Sequence, residues 1–210
     1  MKTFTNQEIK ALEHIYKINL VNSITGYKPA NLVGTISNTG NTNVAVFSSV
    51  IHLGSSPALL GMVFIPTTVA RNTYDNIKEN GCYTLNHIHQ EIIEDAHHTS
   101  AKYPSEISEF EMTGLQEEYK PNCPSPFVKG APVQIEMKYV NEYAIQENGT
   151  ILLIGSVEKV HIQESLIEKD GFVNLSKGKV VAINGLDGYI KTESVERQSY
   201  QRPKKSTIQI

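Results

Sequence analysis

Residues 133–162, VQIEMKYVNEYAIQENGTILLIGSVEKVHI, decide the fold class. Two long runs rich in Val, Ile, Leu and Tyr, at 133–145 and 150–162, flank the tripeptide Glu147-Asn148-Gly149. Asn-Gly between alternating apolar segments is a strong short-range hairpin signal, because these residues tolerate positive φ. The segment therefore predicts two long antiparallel strands joined by a tight turn.

Toward the N-terminus the same pattern continues as a meander of strands. Apolar runs bounded by turn residues predict strands at 31–37, 43–51, 59–65 and 82–86. A hairpin turn is predicted at 38–41, between the first two. A helix is predicted over 71–80, with Asn72 or Thr73 as its N-cap and Gly81 at its end. Thr5 followed by Glu8 is a capping-box pattern, so a short helix is also predicted there.

The rest of the chain completes one mainly β domain with a few peripheral helices. A short helix is predicted at 105–110 and a last strand at 180–184, before a polar tail. The proline-rich stretch 121–132 is predicted to be a loop, because proline cannot donate to a strand ladder. No repeat, low-complexity block or linker divides the chain. We therefore expect a single domain over 1–210, with its core at about 20–190.

Composition excludes several functional classes. The chain has 210 residues and a formal net charge of −3, with no basic run. This argues against a nucleic-acid surface and against a basic membrane-binding face. Its polar start lacks the apolar core of a secretion signal. Cys82 and Cys123 lie far apart without a CxxC, which argues against a disulfide framework and predicts reduced thiols in the cytoplasm.

Three segments carry candidate binding chemistry. The first, 43–49, reads NVAVFSS, and its amides and hydroxyls could bond the edge of a flat heterocycle. An ordinary strand with solvent-facing serines explains the composition equally simply. In the second, Arg71, Asn72 and Thr73 stand where a strand gives way to a helix, with Thr68 nearby. A helix N-terminus with an added Arg suits phosphate, whereas the commoner use of these residues is a Thr cap beside a surface Arg.

The third segment, 97–103, reads HHTSAKY and could line an anionic cofactor or a nicotinamide pocket. Its alternative is a solvated helix end. Together with His87 and His89 it also raises the possibility of a metal site, but no HExxH or CxxC accompanies the histidines. GxGxxG, GxxxxGK[ST] and GxSxG are absent too, so neither a Rossmann site, a P-loop nor a nucleophile elbow is indicated.

Taken in order, the segments resemble the flavin reductase-like FMN-binding split-barrel family. The matching pieces are YKPANLVGT from Tyr27, NVA and SS within 43–49, HLGSSP from His52, RNTYDNI from Arg71, and the LN that follows Gly81. AHHTSAKY with SEFE, GLDGY and YQRP resemble a subgroup close to the flavoredoxins. The likeness spans nearly the whole chain, and its specificity lies in the order and combination of the pieces.

This resemblance implies a split barrel of Greek-key type and a homodimer with two FMN sites at or near the subunit interface. It also implies electron transfer between NAD(P)H and flavin, or onward to a redox protein partner. Residues implied at the flavin ring are Asn43, Val44, Ala45, Ser48, Ser49 and Val50. Residues implied at the phosphate are Arg71, Asn72 and Thr73. Residues implied to close the site are His98, Ser100 and Lys102.

No catalytic acid or base is assigned, because hydride transfer is the flavin's own chemistry and the protein needs only to bind, orient and tune it. No metal ligand is assigned, because the histidine spacings match no standard zinc site. The leading hypothesis is an NAD(P)H:flavin oxidoreductase. Three alternatives stay open: a flavoredoxin-like electron carrier, a non-catalytic FMN-binding protein, and a metal protein built on the His cluster.

Overall fold

A computed structural model describes residues 1–66 and 71–203. Its α-helices are α1 (Asn6–Ala11), α2 (His14–Ser23), α3 (Asn72–Asn80), α4 (Ile93–His98) and α5 (Glu109–Met112). Short 3₁₀ helices occupy Gln90–Ile92 and Glu164–Leu166. The strands are β1 (Lys28–Pro29), β2 (Asn31–Ile36), β3 (Thr42–Phe47), β4 (Val50–Ser55), β5 (Ala58–Phe64), β6 (Cys82–His87), β7 (Glu117–Lys120), β8 (Cys123–Val128), β9 (Val133–Ile145), β10 (Thr150–Ile162), β11 (Val181–Asn184) and β12 (Gly188–Lys191).

A seven-stranded antiparallel sheet in the order β3-β2-β6-β9-β10-β5-β4 forms the body of the molecule. Its two edge strands, β3 and β4, are separated in the chain only by Ser48 and Ser49. Seven strands about 4.8 Å apart would put the edges of a flat sheet about 29 Å from each other. The link from Phe47 to Val50 spans at most about 11 Å. The sheet must therefore curl until its edges meet, which makes it a barrel.

Two apolar clusters pack on opposite faces of this sheet. The barrel interior holds Val33, Val50, Met62, Phe64, Ile77, Tyr83, Leu85, Met137 and Leu153. The outer cluster holds Ala30, Leu32, Val44, Ile88, Ala96, Phe110, Leu115, Val128, Ala131, Val181 and Ile183. Because successive residues of a strand point to opposite faces, Leu32 and Val33 enter different clusters. Strand β2 is consequently buried on both sides, and all of its residues from Asn31 to Thr35 are buried.

Most of the predicted elements are confirmed. The hairpin β9–β10 has the predicted bounds, and Gly149 in its turn has φ 73°. Thr5 and Glu8 form the predicted capping box of α1. Helix α3 ends at Gly81, which has φ 67°. The mainly β barrel is confirmed as the fold class.

Four predictions were wrong in detail. The strand at 43–51 is two strands, because the chain passes from one sheet edge to the other at Ser48 and Ser49. Within 121–132 lies strand β8, whose prolines, 124 and 126, are absent from its register pairs with β7, so no ladder bond is lost. The helix at 105–110 begins only after Ser108, which caps it. Arg71, not Asn72 or Thr73, is the N-cap residue of α3.

Candidate functional site

Strand β3 is the hub around which the predicted site segments meet. One edge of β3 pairs with β2, and the amides on its other edge donate to side chains. The Val44 amide donates to Oε2 of Glu109 at 3.1 Å, and the Val46 amide donates to Oγ1 of Thr99 at 2.9 Å. The segments carrying Thr99 and Glu109 are thereby fixed along the strand, and these two edge N–H groups are satisfied inside the protein.

The start of α3 is attached to the same strand. Nδ2 of Asn43 donates to Oγ1 of Thr73 at 3.0 Å. One turn later, Nδ2 of Asn76 donates to Oγ1 of Thr35 on β2 at 3.1 Å. Asn43, Thr73 and Asn76 are all buried. These bonds fix the position and direction of the helix N-terminus relative to β3.

The end of β5 completes the junction. The rings of Phe47 and Phe64 meet edge-on with centroids 5.1 Å apart, and Phe64 meets Tyr74 of α3 in the same way at 5.5 Å. Oγ of Ser49 donates to the carbonyl of Val63 at 2.8 Å and accepts from the Val63 amide at 3.2 Å. The β3–β4 link, the start of α3 and the end of β5 therefore lie side by side.

The side chain of Arg71 has a hydrogen-bond donor at this junction that no acceptor among the described residues satisfies. It is the N-cap residue of α3 without a side-chain cap bond, although its amide donates to Oδ2 of Asp75 at 3.3 Å. Its Nε is buried and has no hydrogen-bond partner in the part of the chain that the structure describes. A buried guanidinium N–H without an acceptor is costly, so an anion at this point would satisfy it. Asn72 lies beside it, partly buried, whereas Thr68 falls outside the described residues.

The predicted closing residues lie beyond the β3 edge, on either side of Thr99. His98, Ser100 and Lys102 are exposed. Nε2 of His98 is 2.6 Å from the hydroxyl of Tyr103, and Oγ of Ser100 donates to the carbonyl of His97 at 2.7 Å. Because Thr99 is bonded to the Val46 amide, this segment is held close to the end of β3 and to Ser48.

The histidines of the predicted cluster have separate surroundings. Nδ1 of His97 is 3.3 Å from the hydroxyl of Tyr189, whereas His98 contacts Tyr103. His89 forms an isolated bridge with Val180. Among residues 1–66 and 71–203, no group of three His, Cys, Asp or Glu side chains is placed to share a metal ion. In the same residues, no helix has the length and apolarity to cross a bilayer.

Sequence reasoning missed two features near the site. Glu109 is buried against β3, and burial raises the pKa of its carboxyl group. A cavity of about 230 Å³ lies beside the first residue of β2, lined partly by Tyr27, Lys28, Asn31 and His87. Both features depend on contacts between segments that are far apart in the chain, which no local motif reveals.

Two polar atoms in this cavity region lack partners. Nδ2 of Asn31 and Nδ1 of His87 are buried without a hydrogen bond among the described residues. Asn31 pairs in register with His87 on β6 and with Phe47 on β3. The cavity is therefore next to the end of β3, close to the β3–β4 link. Burial lowers the pKa of His87 to about 4, so its ring is neutral at neutral pH.

Comparison with known proteins identifies the fold and the family. A split-barrel protein from Shewanella frigidimarina that is assigned to the flavin reductases has 41% sequence identity and a TM-score of 0.92, covering 96% of this chain and 100% of its own. Nitrilotriacetate monooxygenase component B from Bacillus cereus has 21% identity and a TM-score of 0.81, covering 94% and 98%. Flavoredoxin of Desulfovibrio vulgaris has 20% identity and a TM-score of 0.72, covering 83% and 91%.

The two more distant structures share the fold, and the family follows from the sequence itself. The family described as "Flavin reductase like domain" matches residues 27–180, which include the whole junction around β3. This match confirms the resemblance on which the site residues were chosen. The chain belongs to the flavin reductase-like family and has its split-barrel fold.

Proposed function

We propose that the protein is a cytoplasmic, homodimeric flavin reductase that binds FMN and passes electrons to it from NAD(P)H. The observation that carries this proposal is the buried, unpartnered Nε of Arg71 at the N-terminus of α3, beside the β3–β4 link. Membership of the flavin reductase-like family supports a flavin as the ligand. The FMN phosphate supplies the anion that the junction lacks.

In this proposal Arg71, Asn72 and Thr73 hold the phosphate. Arg71 offers a charge-assisted bond, and the first amides of α3 add donors where the helix dipole is positive. Thr73 is already bonded to Asn43, so its hydroxyl acts mainly by fixing the helix start against β3. His98, Ser100 and Lys102 close the site from the segment beyond Thr99, and the exposed ammonium of Lys102 adds positive charge.

The flavin ring is placed along Asn43, Val44, Ala45, Ser48, Ser49 and Val50. The backbone amide of Val44 already donates a hydrogen bond to Glu109, and the hydroxyl of Ser49 already donates one to the carbonyl of Val63. The hydroxyl of Ser48 makes no side-chain hydrogen bond among the described residues, so Ser48 and the backbone of the link are the donors left for the ring. Strand β3 then acts as the rigid support that holds the link in place.

Bound FMN would supply the hydride chemistry, and the chain's own residues bind and orient it. The neutral His87 ring and the Asn31 amide lie in the adjoining cavity, where they can accept and donate hydrogen bonds without adding charge. The Bacillus cereus relative is one component of a monooxygenase. A redox protein partner that receives the electrons is part of the same proposal.

The test is the visible spectrum of the purified protein, recorded alone, with added FMN, and anaerobically after NADH or NADPH. A flavin spectrum that bleaches rapidly after NADH or NADPH is added supports the reductase activity. A bound flavin that resists both nucleotides overturns the reductase activity and points to the flavoredoxin-like carrier or to storage. Absence of any flavin complex, even with excess FMN, overturns the cofactor. Metal analysis of the same sample tests the remaining alternative, a metal site.

A further inference from the structure

Cys82 and Cys123 are the only cysteines in the chain, and the fold brings them together. Cys82 is the first residue of β6, in the barrel, and Cys123 is the first residue of β8, in the separate two-stranded sheet. They are 41 positions apart in sequence, yet their Sγ atoms are 3.7 Å apart. Both are free thiols, Cys123 buried and Cys82 partly exposed.

The surroundings make the two sulfur atoms unequal. A hydrogen bond from Cys123, helped by Ser125, lowers the pKa of Cys82 to about 7, although burial and the charge of Glu136 oppose this. Burial and the same sulfur contact raise the pKa of Cys123. Glu136 on β9 is paired with Lys159 at 3.1 Å, and Lys138 stands opposite Cys82 in the β6–β9 register. These opposite shifts favour the thiolate at Cys82 and the protonated thiol at Cys123, whose Sγ also donates to the carbonyl of Ser125 at 3.5 Å.

We propose that Cys82 and Cys123 form an oxidation site for hydroperoxides, in which Cys82 is the attacked residue and Cys123 resolves it into a disulfide joining β6 to β8. Cys82 is the partly exposed residue of the pair, so a small oxidant reaches it first, and the sulfur of the buried Cys123 is already in contact with it. Forming the bond requires the sulfur atoms to approach by about 1.6 Å, to the usual S–S length.

The chemistry balances with hydrogen peroxide as the oxidant. The Cys82 thiolate attacks one peroxide oxygen, the O–O bond breaks, and Cys82 becomes a sulfenic acid while hydroxide leaves. The Cys123 sulfur then attacks the Cys82 sulfur, the S–O bond breaks, and a second hydroxide leaves. The proton of Cys123 and one from solvent convert both hydroxides to water. The two sulfur atoms together lose two electrons, and the peroxide gains them.

This site does not depend on the proposed flavin chemistry, which would supply only a source of peroxide when reduced flavin meets oxygen. The flavin-free chain with added hydrogen peroxide is therefore the sample to test. After reduction and removal of the reductant, the chain is treated with peroxide, and its free thiols are blocked with N-ethylmaleimide. Its mass is then measured by intact-protein mass spectrometry. We expect the mass to fall by two hydrogen atoms with no maleimide bound, and two maleimides to bind if the sample is reduced again first.

Two variants assign the roles. In Cys123→Ser, dimedone should trap a sulfenic acid at Cys82. In Cys82→Ser, loss of the Cys123 thiol should be slowed by about tenfold or more, because that sulfur is buried and protonated. Two thiols still labelled after peroxide treatment of the unmodified chain would overturn the proposal. So would oxygen added at Cys82 while Cys123 stays reactive, or a disulfide between two chains.

A pH series on the unmodified chain gives an independent check. The rate of thiol loss should rise with a midpoint below the ordinary thiol pKa, because the pKa of Cys82 is lowered. A midpoint at the ordinary thiol pKa of about 8.5 would contradict the assignment of Cys82 as the reactive thiolate.

Discussion

Replacing Arg71 by Gln removes the guanidinium charge but keeps a polar side chain at the start of α3. If this residue holds the FMN phosphate, the loss of a charge-assisted bond worth about 1.5–3 kcal/mol should weaken FMN binding about 10- to 150-fold. Riboflavin has no phosphate, so its affinity should be unchanged. Fluorescence titration of both ligands measures this difference.

The matched control is Arg197→Gln. Unlike Arg71, Arg197 has acceptors for its guanidinium within the chain, because it bonds to Asp170 and Glu168. We expect this variant to bind FMN like the unmodified chain. Equal losses of FMN and riboflavin affinity in Arg71→Gln would show that the residue supports the junction structurally and does not contact phosphate.

The lowered pKa of His87 predicts that the folded state loses stability in acid. Burial lowers its pKa to about 4 in the folded chain, below about 6.5 in the unfolded one. The unfolded state therefore takes up a proton first, and stability is lost as the pH falls from 6.5 toward 4. Relative to His87→Gln, the unmodified chain should lose about 2–3 kcal/mol between pH 7 and pH 4.5. Urea unfolding at both pH values measures the difference, and a constant difference would contradict it.

Local signals in the sequence pointed to Arg71 and Thr73, because a strand end and a helix start are visible in a few residues, whereas Ser48 was named from the family resemblance. The structure brings these segments together around β3. The roles of Glu109 and Thr99 could not be predicted, because each bonds a backbone amide more than fifty positions away. The contact between Cys82 and Cys123 was missed for the same reason, because it joins β6 to β8 across 41 positions of sequence.

Strand β8 is pressed against β2 at a position where only glycine fits. A Cβ at Gly34 would collide with the carbonyl oxygen of Pro126 and would lie 2.6 Å from Oγ1 of Thr84. Gly34→Ala should therefore destabilise the chain by about 1–3 kcal/mol through overpacking. The melting temperature should fall by roughly 2–10 °C.

Gly54→Ala is the control in this comparison. A Cβ there meets only the carbonyl of Pro57 at 3.4 Å, an ordinary contact, so the melting temperature should hardly change. Equal effects of the two substitutions would mean that the approach of β8 to β2 is not tight. Calorimetry on both variants decides between these outcomes.

Among the elements, hairpins were the most predictable from sequence. The alternating apolar residues of β9 and β10 and the Asn-Gly turn between them predict this hairpin locally. The predicted bounds of both strands are confirmed. Strand β8 was missed because prolines are a sound argument against a central strand, yet β8 pairs along one edge with β7. The break between β3 and β4 was missed because the strand pattern runs through Ser48 and Ser49 without a Gly or Pro.

On the outside of the barrel lies an exposed apolar patch, which is the candidate interface for the proposed homodimer. Ile51, Leu53 and Leu152 crowd the open side of Gly61, and Tyr143 is the register partner of Leu152. Leu53 is 41% exposed and Tyr143 59% exposed. If this patch is the homodimer interface, Leu53→Asp should yield monomers by light scattering and weaken FMN binding.

Leu186→Asp provides the matched control, since Leu186 is 52% exposed and lies between β11 and β12. This variant should have the same mass in solution as the unmodified chain. A Leu53→Asp variant that keeps the dimer would show that the interface lies elsewhere. A monomeric unmodified chain would contradict the proposed homodimer.

Closing the barrel at the β3–β4 link also makes the folding rate depend on pairing with a strand that is distant in sequence. The barrel is closed only when β5 pairs with β10, so that Met62 meets Leu153 from the other half of the sequence. Such non-local pairing must overcome loop entropy before its contacts are gained, so folding should take on the order of milliseconds to seconds. Until that seam closes, β5 offers an open edge to other chains, so refolding yield should fall as protein concentration rises.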